Sequence, residues 1–285
     1  MSGTLLITGA SGYLGRELAR QATIAGWQVV GTFRRAPVAL AGVDWLPLDV
    51  RDRQAVAACV AQTQPTVIVH TAVTEPNDWP TNADGAAHVA LAARQHQCRL
   101  VHVSSDAIFN GAAGLYDENA VPEPITPYGA AKAAAETAVQ AIMPEAAIVR
   151  TSLIIGAEPY KHVKMVLDML TGKRADALFT DEIRCPVLVN DLAAALLELA
   201  AGSYAGVLNV AGADALSRYE LGTLLARHWG YDPARLRAIS TVESGLRRPT
   251  DVRLDIRRAQ GVLQTPLRGA RTFIATLMID START

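Results

Sequence analysis

"TLLITGASGYLG", residues 4–15, decides the fold: an apolar run of strand length gives way at once to a glycine-punctuated turn and then to a helical pattern. Gly9, Gly12 and Gly15 recur at three-residue intervals. Such a turn needs backbone angles that glycine tolerates, a phosphate needs a backbone with no Cβ in its way, and the next helix must pack closely on its strand. The helix N-terminus then offers amide donors and positive potential to an anion. In a strand–turn–helix unit this predicts a dinucleotide held by Gly9, Ser11, Gly12, Tyr13, Leu14 and Gly15.

Working outward, short apolar runs alternate with longer helical patterns. A helix over 13–25 leads to "WQVVGT" (27–32), a helix over 52–62 to "TVIVH" (66–70), a helix near 82–96 to "RLVHVSS" (99–105), and a helix over about 128–141 to "AAIVRTS" (146–152). This rhythm predicts an α/β fold, a doubly wound parallel sheet of the Rossmann kind covered on both faces. After Gly156 the rhythm breaks. Residues 1–156 are therefore read as an NADP-binding domain and 157–285 mainly as a smaller C-terminal substrate-binding lobe, with about 183–202 returning to the first domain. The returning helix, "NDLAAALLELA" (190–200), could be capped by Asn190 or Asp191 and is apolar enough to pack on the sheet. A short strand "GVLNVAG" (206–212), a helix over 217–230 opening on Ser217 and closing at Gly230, and a basic stretch complete the lobe.

The 27 basic side chains balance the 27 acidic ones, which argues against a nucleic-acid or anionic-membrane partner. The chain shows no basic leader ahead of an apolar core and no run of eighteen apolar residues, so a soluble cytoplasmic protein is expected. Cys59, Cys98 and Cys185 are scattered and read as free thiols, and the histidines lack metal-ligand spacing, so no metal is expected.

The end of the second strand selects the dinucleotide. NAD binding uses an acid there for the ribose 2′-hydroxyl, whereas a 2′-phosphate calls for cations. The residues are Gly31, Thr32, Phe33, Arg34 and Arg35. Two guanidiniums and no acid predict NADP(H) rather than NAD(H). Asp49, followed by Val50, is placed to approach the adenine edge, or else caps the helix over 52–62.

"GASGYLG" (9–15), "HTA" (70–72), "VSSDAIFNG" (103–111), "TPYGAAK" (126–132), "VRTSLIIG" (149–156) and "DEIRCPVLVNDLA" (181–193) form an ordered set along nearly the whole chain. That set resembles the extended short-chain dehydrogenases, and within them the dTDP-4-dehydrorhamnose reductase-like, sugar-nucleotide-binding group. The resemblance implies that Ser105 steadies the substrate oxygen, that Tyr128 is the general acid and that Lys132 tunes it, with Tyr128 and Lys132 also meeting the cofactor. It further implies cofactor contacts from His70, Thr71 and Ala72 and substrate contacts from Ser105, Asp106, Tyr160, Lys161 and Arg184. Asn82 matches a helix asparagine that organises the site, or is an N-cap.

The roles have a physical basis. Hydride reduction of a ketone leaves an alkoxide unless a proton arrives, and a phenol can supply it. Lys132 lies one helical turn after Tyr128, so its ammonium is expected to ease the loss of the phenolic proton. Thr126 as cap and Pro127 in the first turn start that helix.

The resemblance departs in one loop, where "VTEPNDWPT" (73–81) replaces an alanine-rich, acid-containing segment beside the substrate. In the second lobe Tyr160, Lys161, His162 and Lys164, with Arg184 and the Arg247/Arg248 pair, are candidates for a diphosphate. The expected function is NADP(H)-dependent reduction of a 4-keto nucleotide-sugar, with that small molecule as partner and a homodimer left open. Two alternatives stand beside it. One is a non-catalytic NADP-binding subunit resembling the regulatory β subunit of methionine adenosyltransferase. The other is a nucleotide-sugar epimerase or dehydratase, which would hold NAD.

Overall fold

The computed structural model describes residues 3–158 and 160–277. Its central sheet has seven strands, β1 (Thr4–Thr8), β2 (Gln28–Phe33), β3 (Val43–Pro47), β4 (Val67–His70), β5 (Arg99–Val103), β6 (Ala147–Arg150) and β7 (Gly206–Asn209), in spatial order 7-6-5-4-1-2-3. Every pairing is parallel. The larger helices are α1 (Tyr13–Ile24), α2 (Arg53–Thr63), α3 (Gly85–Gln95), α4 (Pro127–Ile142), α5 (His162–Leu170), α6 (Val189–Ala201) and α7 (Arg218–His228).

The period-two alternation of the strands builds two apolar layers. Leu5 and Ile7 face Leu14 and Leu18 of α1 and Leu192 and Leu196 of α6. Leu6, with Ile68, Leu100 and Ile148, faces Val56 and Val60 of α2, Val89 of α3 and Val139 of α4. A third core belongs to the smaller lobe, where Val166 and Leu170 of α5 meet Leu221 and Leu225 of α7, with Leu178, Leu188 and Phe273.

Several local expectations change. The segment Gly206–Asn209, assigned above to the smaller lobe, is the edge strand beside β6, so the return to the sheet continues past residue 202. Neither Asn190 nor Asp191 caps α6, which has no side-chain cap. Instead Asn190 donates to Glu17 at 2.6 Å, and Arg268 donates to the buried Asp191 carboxylate at 2.5 Å. Asp52 rather than Asp49 caps α2, accepting from the Gln54 and Ala55 amides at 2.9 and 3.0 Å. The third helix begins as a π-helical turn over Pro80–Asp84. Ser217 and Glu220 form a reciprocal capping box on α7, and Gly230 follows that helix at φ +74°.

All three cysteines are buried free thiols. No described helix is long and apolar enough to cross a membrane.

Candidate active site

Strand order reverses between β1 and β4, and open α/β sheets bind ligands at such a switch point, outside the carboxyl ends of the strands. A cavity of about 560 Å³ lies there, walled by the turn after β1, the end of β2, the loop 73–81, Val103–Asp106, the start of α4, and residues 151–154 and 160–162.

The turn after β1 is built as an anion cradle. Gly9 sits at φ +72°, and a Cβ there would lie 2.6 Å from the Ala72 backbone, so only glycine fits. Gly12 stands at the N-cap of α1 with no side-chain cap, and the first turn carries no acid. Amides and a positive helix end therefore face the cavity uncompensated, which suits a pyrophosphate. Ser11, Gly12, Tyr13, Leu14 and Gly15 line it, as do Arg34, Arg35, Asp49, Val50, Thr71 and Ala72. A dinucleotide phosphate fits this donor set.

Arg34 is 3.6 Å from Asp78 of the loop 73–81. Asp78 is itself held by the Thr74 and Thr81 hydroxyls at 2.6 and 2.8 Å, and these bonds keep its carboxyl below the usual range. Asn82 fixes the same loop rather than capping a helix: its Oδ1 accepts from the Thr74 amide at 3.1 Å and its Nδ2 donates to the Glu75 carbonyl at 3.0 Å. Asp49 is engaged by Arg51, which lowers its pKa.

Ser105, Asp106, Tyr128 and Lys132 meet on the opposite wall. Thr126 caps α4 by accepting from the Gly129 amide at 3.1 Å, and Pro127 occupies the first turn, so Tyr128 enters the cavity at the helix start. Ser105 Oγ accepts from the Ala107 amide at 3.2 Å. Burial raises the Tyr128 phenol to about 12, against the neighbouring Ser105 hydroxyl, which lowers it. Lys132 is not among the groups that shift this phenol, and the net direction is upward rather than the expected easing. Lys132 donates to the Val103 carbonyl at 2.7 Å, and burial brings it down to about 8, with Glu136 pulling the other way. A phenol at about 12 is fully protonated near neutrality and so arrives as a proton donor.

Two expected contacts are not brought to the cavity. His70 lies beneath it, 3% exposed, 2.6 Å from Thr8 Oγ1 and stacked on His102 at 5.3 Å. Arg184 is buried and donates to the carbonyls of Ile183, Thr250 and Pro249 at 2.6, 2.8 and 2.8 Å, so its guanidinium is already occupied. It lies 3.7 Å from Asp106, which also accepts from Ser152 Oγ at 2.6 Å and is raised by burial.

Tyr160 and Lys161 line the cavity, and Tyr160 stacks on Tyr13 at 4.4 Å. Lys164 turns to Asp168, while Arg248 is 2.7 Å from Glu182. The cavity adds residues that no spacing argument singled out, among them Thr32, Thr151, Ser152 and Thr81. Thr32 accepts from the Gly9 amide at 3.2 Å, a bond from the turn to the neighbouring strand that linear spacing does not reveal.

The buried histidine pair predicts acid lability. Burial holds His70 at about 3 and His102 well below its usual value, so both stay neutral in the folded chain while the unfolded chain takes up protons from about pH 6.5 downward. The unfolded state then binds more protons, and stability falls as pH falls. Below about pH 5.5 the loss from His70 approaches about 1.4 kcal/mol per pH unit, and His102 adds to it in the same direction. Urea unfolding midpoints across that range measure it; a flat profile would contradict the assignment of both as neutral.

A doubly wound nucleotide fold whose cavity gathers a glycine turn, a serine, and a tyrosine and lysine one helical turn apart defines the extended short-chain dehydrogenase/reductase class, a class of NAD(P)-dependent oxidoreductases. Within it, the sequence pattern of the family described as "RmlD substrate binding domain" matches residues 3–282, and the chain belongs to that family. It is 32% identical to a dTDP-4-dehydrorhamnose reductase of Mycobacterium tuberculosis, over 96% of this chain and 92% of the relative. It is 29% identical to methionine adenosyltransferase 2 subunit beta of Bos taurus, over 97% of this chain and 88% of that one. The crystal structure of a hypothetical dTDP-4-dehydrorhamnose reductase from Sulfolobus tokodaii superposes with a TM-score of 0.81 at 28% identity, covering 93% of this chain and 96% of that one.

Proposed function

We propose that this protein is an NADP(H)-dependent reductase of a 4-keto nucleotide-sugar. The observation that carries the reading is the convergence of Ser105, Tyr128 and Lys132 on the one cavity that also holds the glycine turn and the Arg34/Arg35 pair. A bound NADPH supplies the hydride. The remaining work belongs to the chain. Ser105 holds the carbonyl oxygen through a hydrogen bond, and Tyr128 delivers the proton to that oxygen as charge builds on it. Lys132 keeps a cation close to the tyrosinate that remains. Tyr160 and Lys161 border the cavity from the smaller lobe, where a diphosphate-linked sugar would enter. Loss of NADPH absorbance on adding a panel of dTDP- and UDP-linked 4-keto sugars tests the reading. Tight NADPH binding with no oxidation by any of them would favour a non-catalytic subunit of another enzyme, the alternative to which the similarity to a methionine adenosyltransferase subunit points.

The cofactor preference rests on Arg34 and Arg35. Replacing both by alanine should weaken NADPH binding about ten- to a hundredfold, the span of one or two charge-assisted hydrogen bonds. NADH binding should change less than about threefold, since it lacks the phosphate those bonds would serve. Nicotinamide fluorescence titrations read both; equal losses would remove the arginines from phosphate recognition.

A further inference from the structure

On the face of the sheet that carries α4, the strand rows run Ile68 to His70 in β4 and Leu100 to His102 in β5, and the two histidines are paired in register. The rows are apolar up to the histidines, which end them directly under the cavity. Both imidazoles are buried, at 3% and 0% exposure. Leucine would satisfy the packing. His102 instead leaves its Nδ1 without a hydrogen-bond partner among the described residues, an arrangement that is unfavourable in a buried position.

We propose that His102 is a positioning residue for Lys132, accepting a hydrogen bond through Nε2 and, with the Val103 carbonyl, aiming the ammonium into the cavity. Nζ lies 2.7 Å from Val103 O and 3.5 Å from His102 Nε2. An ammonium has three N–H groups in tetrahedral array. Two of them directed at the strand leave the third for the cavity. A neutral imidazole that accepts at Nε2 must carry its hydrogen on Nδ1. Nδ1 is the atom that lacks a partner. The unpaired N–H is thus the counterpart of a lone pair kept toward Lys132. The other groups facing this ammonium are His70 in the ring stacked on His102, Tyr128 one turn earlier on α4, and Glu136 one turn later, which is held by Arg150 at 2.9 Å. Among the side chains facing it, His102 is the one within hydrogen-bond reach that can accept while remaining uncharged.

The proposal rests on the role given to Lys132 above, but its test needs no substrate, so the two can fail separately. The chain has four lysines, Lys132, Lys161, Lys164 and Lys173, so a sample carrying ¹³C at lysine Cε gives a spectrum in which Lys132→Arg identifies the buried signal. Titration of that signal in His102→Leu should move its midpoint down by at least about one pH unit, because the charged form loses an acceptor. His102→Gln, whose amide oxygen can accept at a similar reach, should stay within about half a unit. NADPH affinity at pH 8 should fall at least about fivefold in the leucine variant and less than about twofold in the glutamine variant, following the charged fraction of Lys132. An unmoved midpoint in His102→Leu, or equal shifts in both variants, would overturn the proposal. Thermal melts of both variants accompany the titrations, and His102→Met replaces the leucine variant should that chain fail to fold.

Discussion

Replacing Tyr128 with phenylalanine is expected to lower the turnover of keto-sugar reduction by about a hundred- to ten-thousandfold, the span associated with losing a general acid. The ring remains, so the half-buried packing at the start of α4 survives. Only the hydroxyl is lost. NADPH binding should persist within a few-fold, because the glycine turn and the arginines are untouched. The comparison is sharp because burial pushes the phenol up to about 12. It is a proton donor at every pH at which the protein would be assayed, so no choice of pH rescues the variant. Steady-state turnover together with a fluorescence titration of NADPH measures both halves. Turnover within tenfold of the parent would move the proton donor elsewhere.

The second large effect is expected one residue further on. In an exposed helix interior, alanine in place of glycine is favourable by about 1 kcal/mol. At Gly129 the sign reverses. A Cβ there would overlap the Ala107 carbonyl oxygen and approach its carbonyl carbon to 3.0 Å, and both belong to backbone that cannot turn aside. Gly129→Ala must push the start of α4 away from the Ser105–Ala107 segment, which separates Tyr128 from Ser105. A net destabilisation of about 1–3 kcal/mol is expected for such overpacking. Turnover should fall at least about a hundredfold even at temperatures where the variant is folded, as the acid and the oxygen-binding hydroxyl no longer meet. Urea denaturation and single-temperature kinetics separate the two effects. A variant as stable and active as the parent would show that the helix start can yield.

The parts of this architecture legible in the linear sequence are those whose causes are local. The glycine turn, the Thr126–Pro127 helix start and the Ser217 box are each complete within a few residues. What escaped depends on partners far along the chain. The strand Val43–Pro47 is a partly exposed edge strand with a proline at its end, and it lacks the buried run that marks its neighbours. Arg184 carries the charge of a phosphate ligand, yet folding sets it beside Asp106 and three carbonyls more than thirty residues away or immediately adjacent. The contact between His70 and His102 exists only because β4 and β5 pair in one register. Asp78, beside Arg34, comes from a loop whose conformation Asn82 and two threonines determine together.

The path of the chain through α6 and β7 bears on how this molecule could be divided. Leu192, Ala193 and Leu196 of α6 cover Leu5, Ile7 and Leu18, and β7 supplies the neighbour that β6 would otherwise lack. A gene fragment stopping at residue 156 would therefore encode a sheet with one apolar face covered by α1 alone and with β6 left as an unpaired edge, a template for aggregation rather than a freestanding nucleotide binder. An exchange of the smaller lobe between relatives would have to leave α6 and β7 with their parent, and with them Val252, Leu254, Ile256, Ala259, Leu263 and Leu267, which belong to the same core as the sheet.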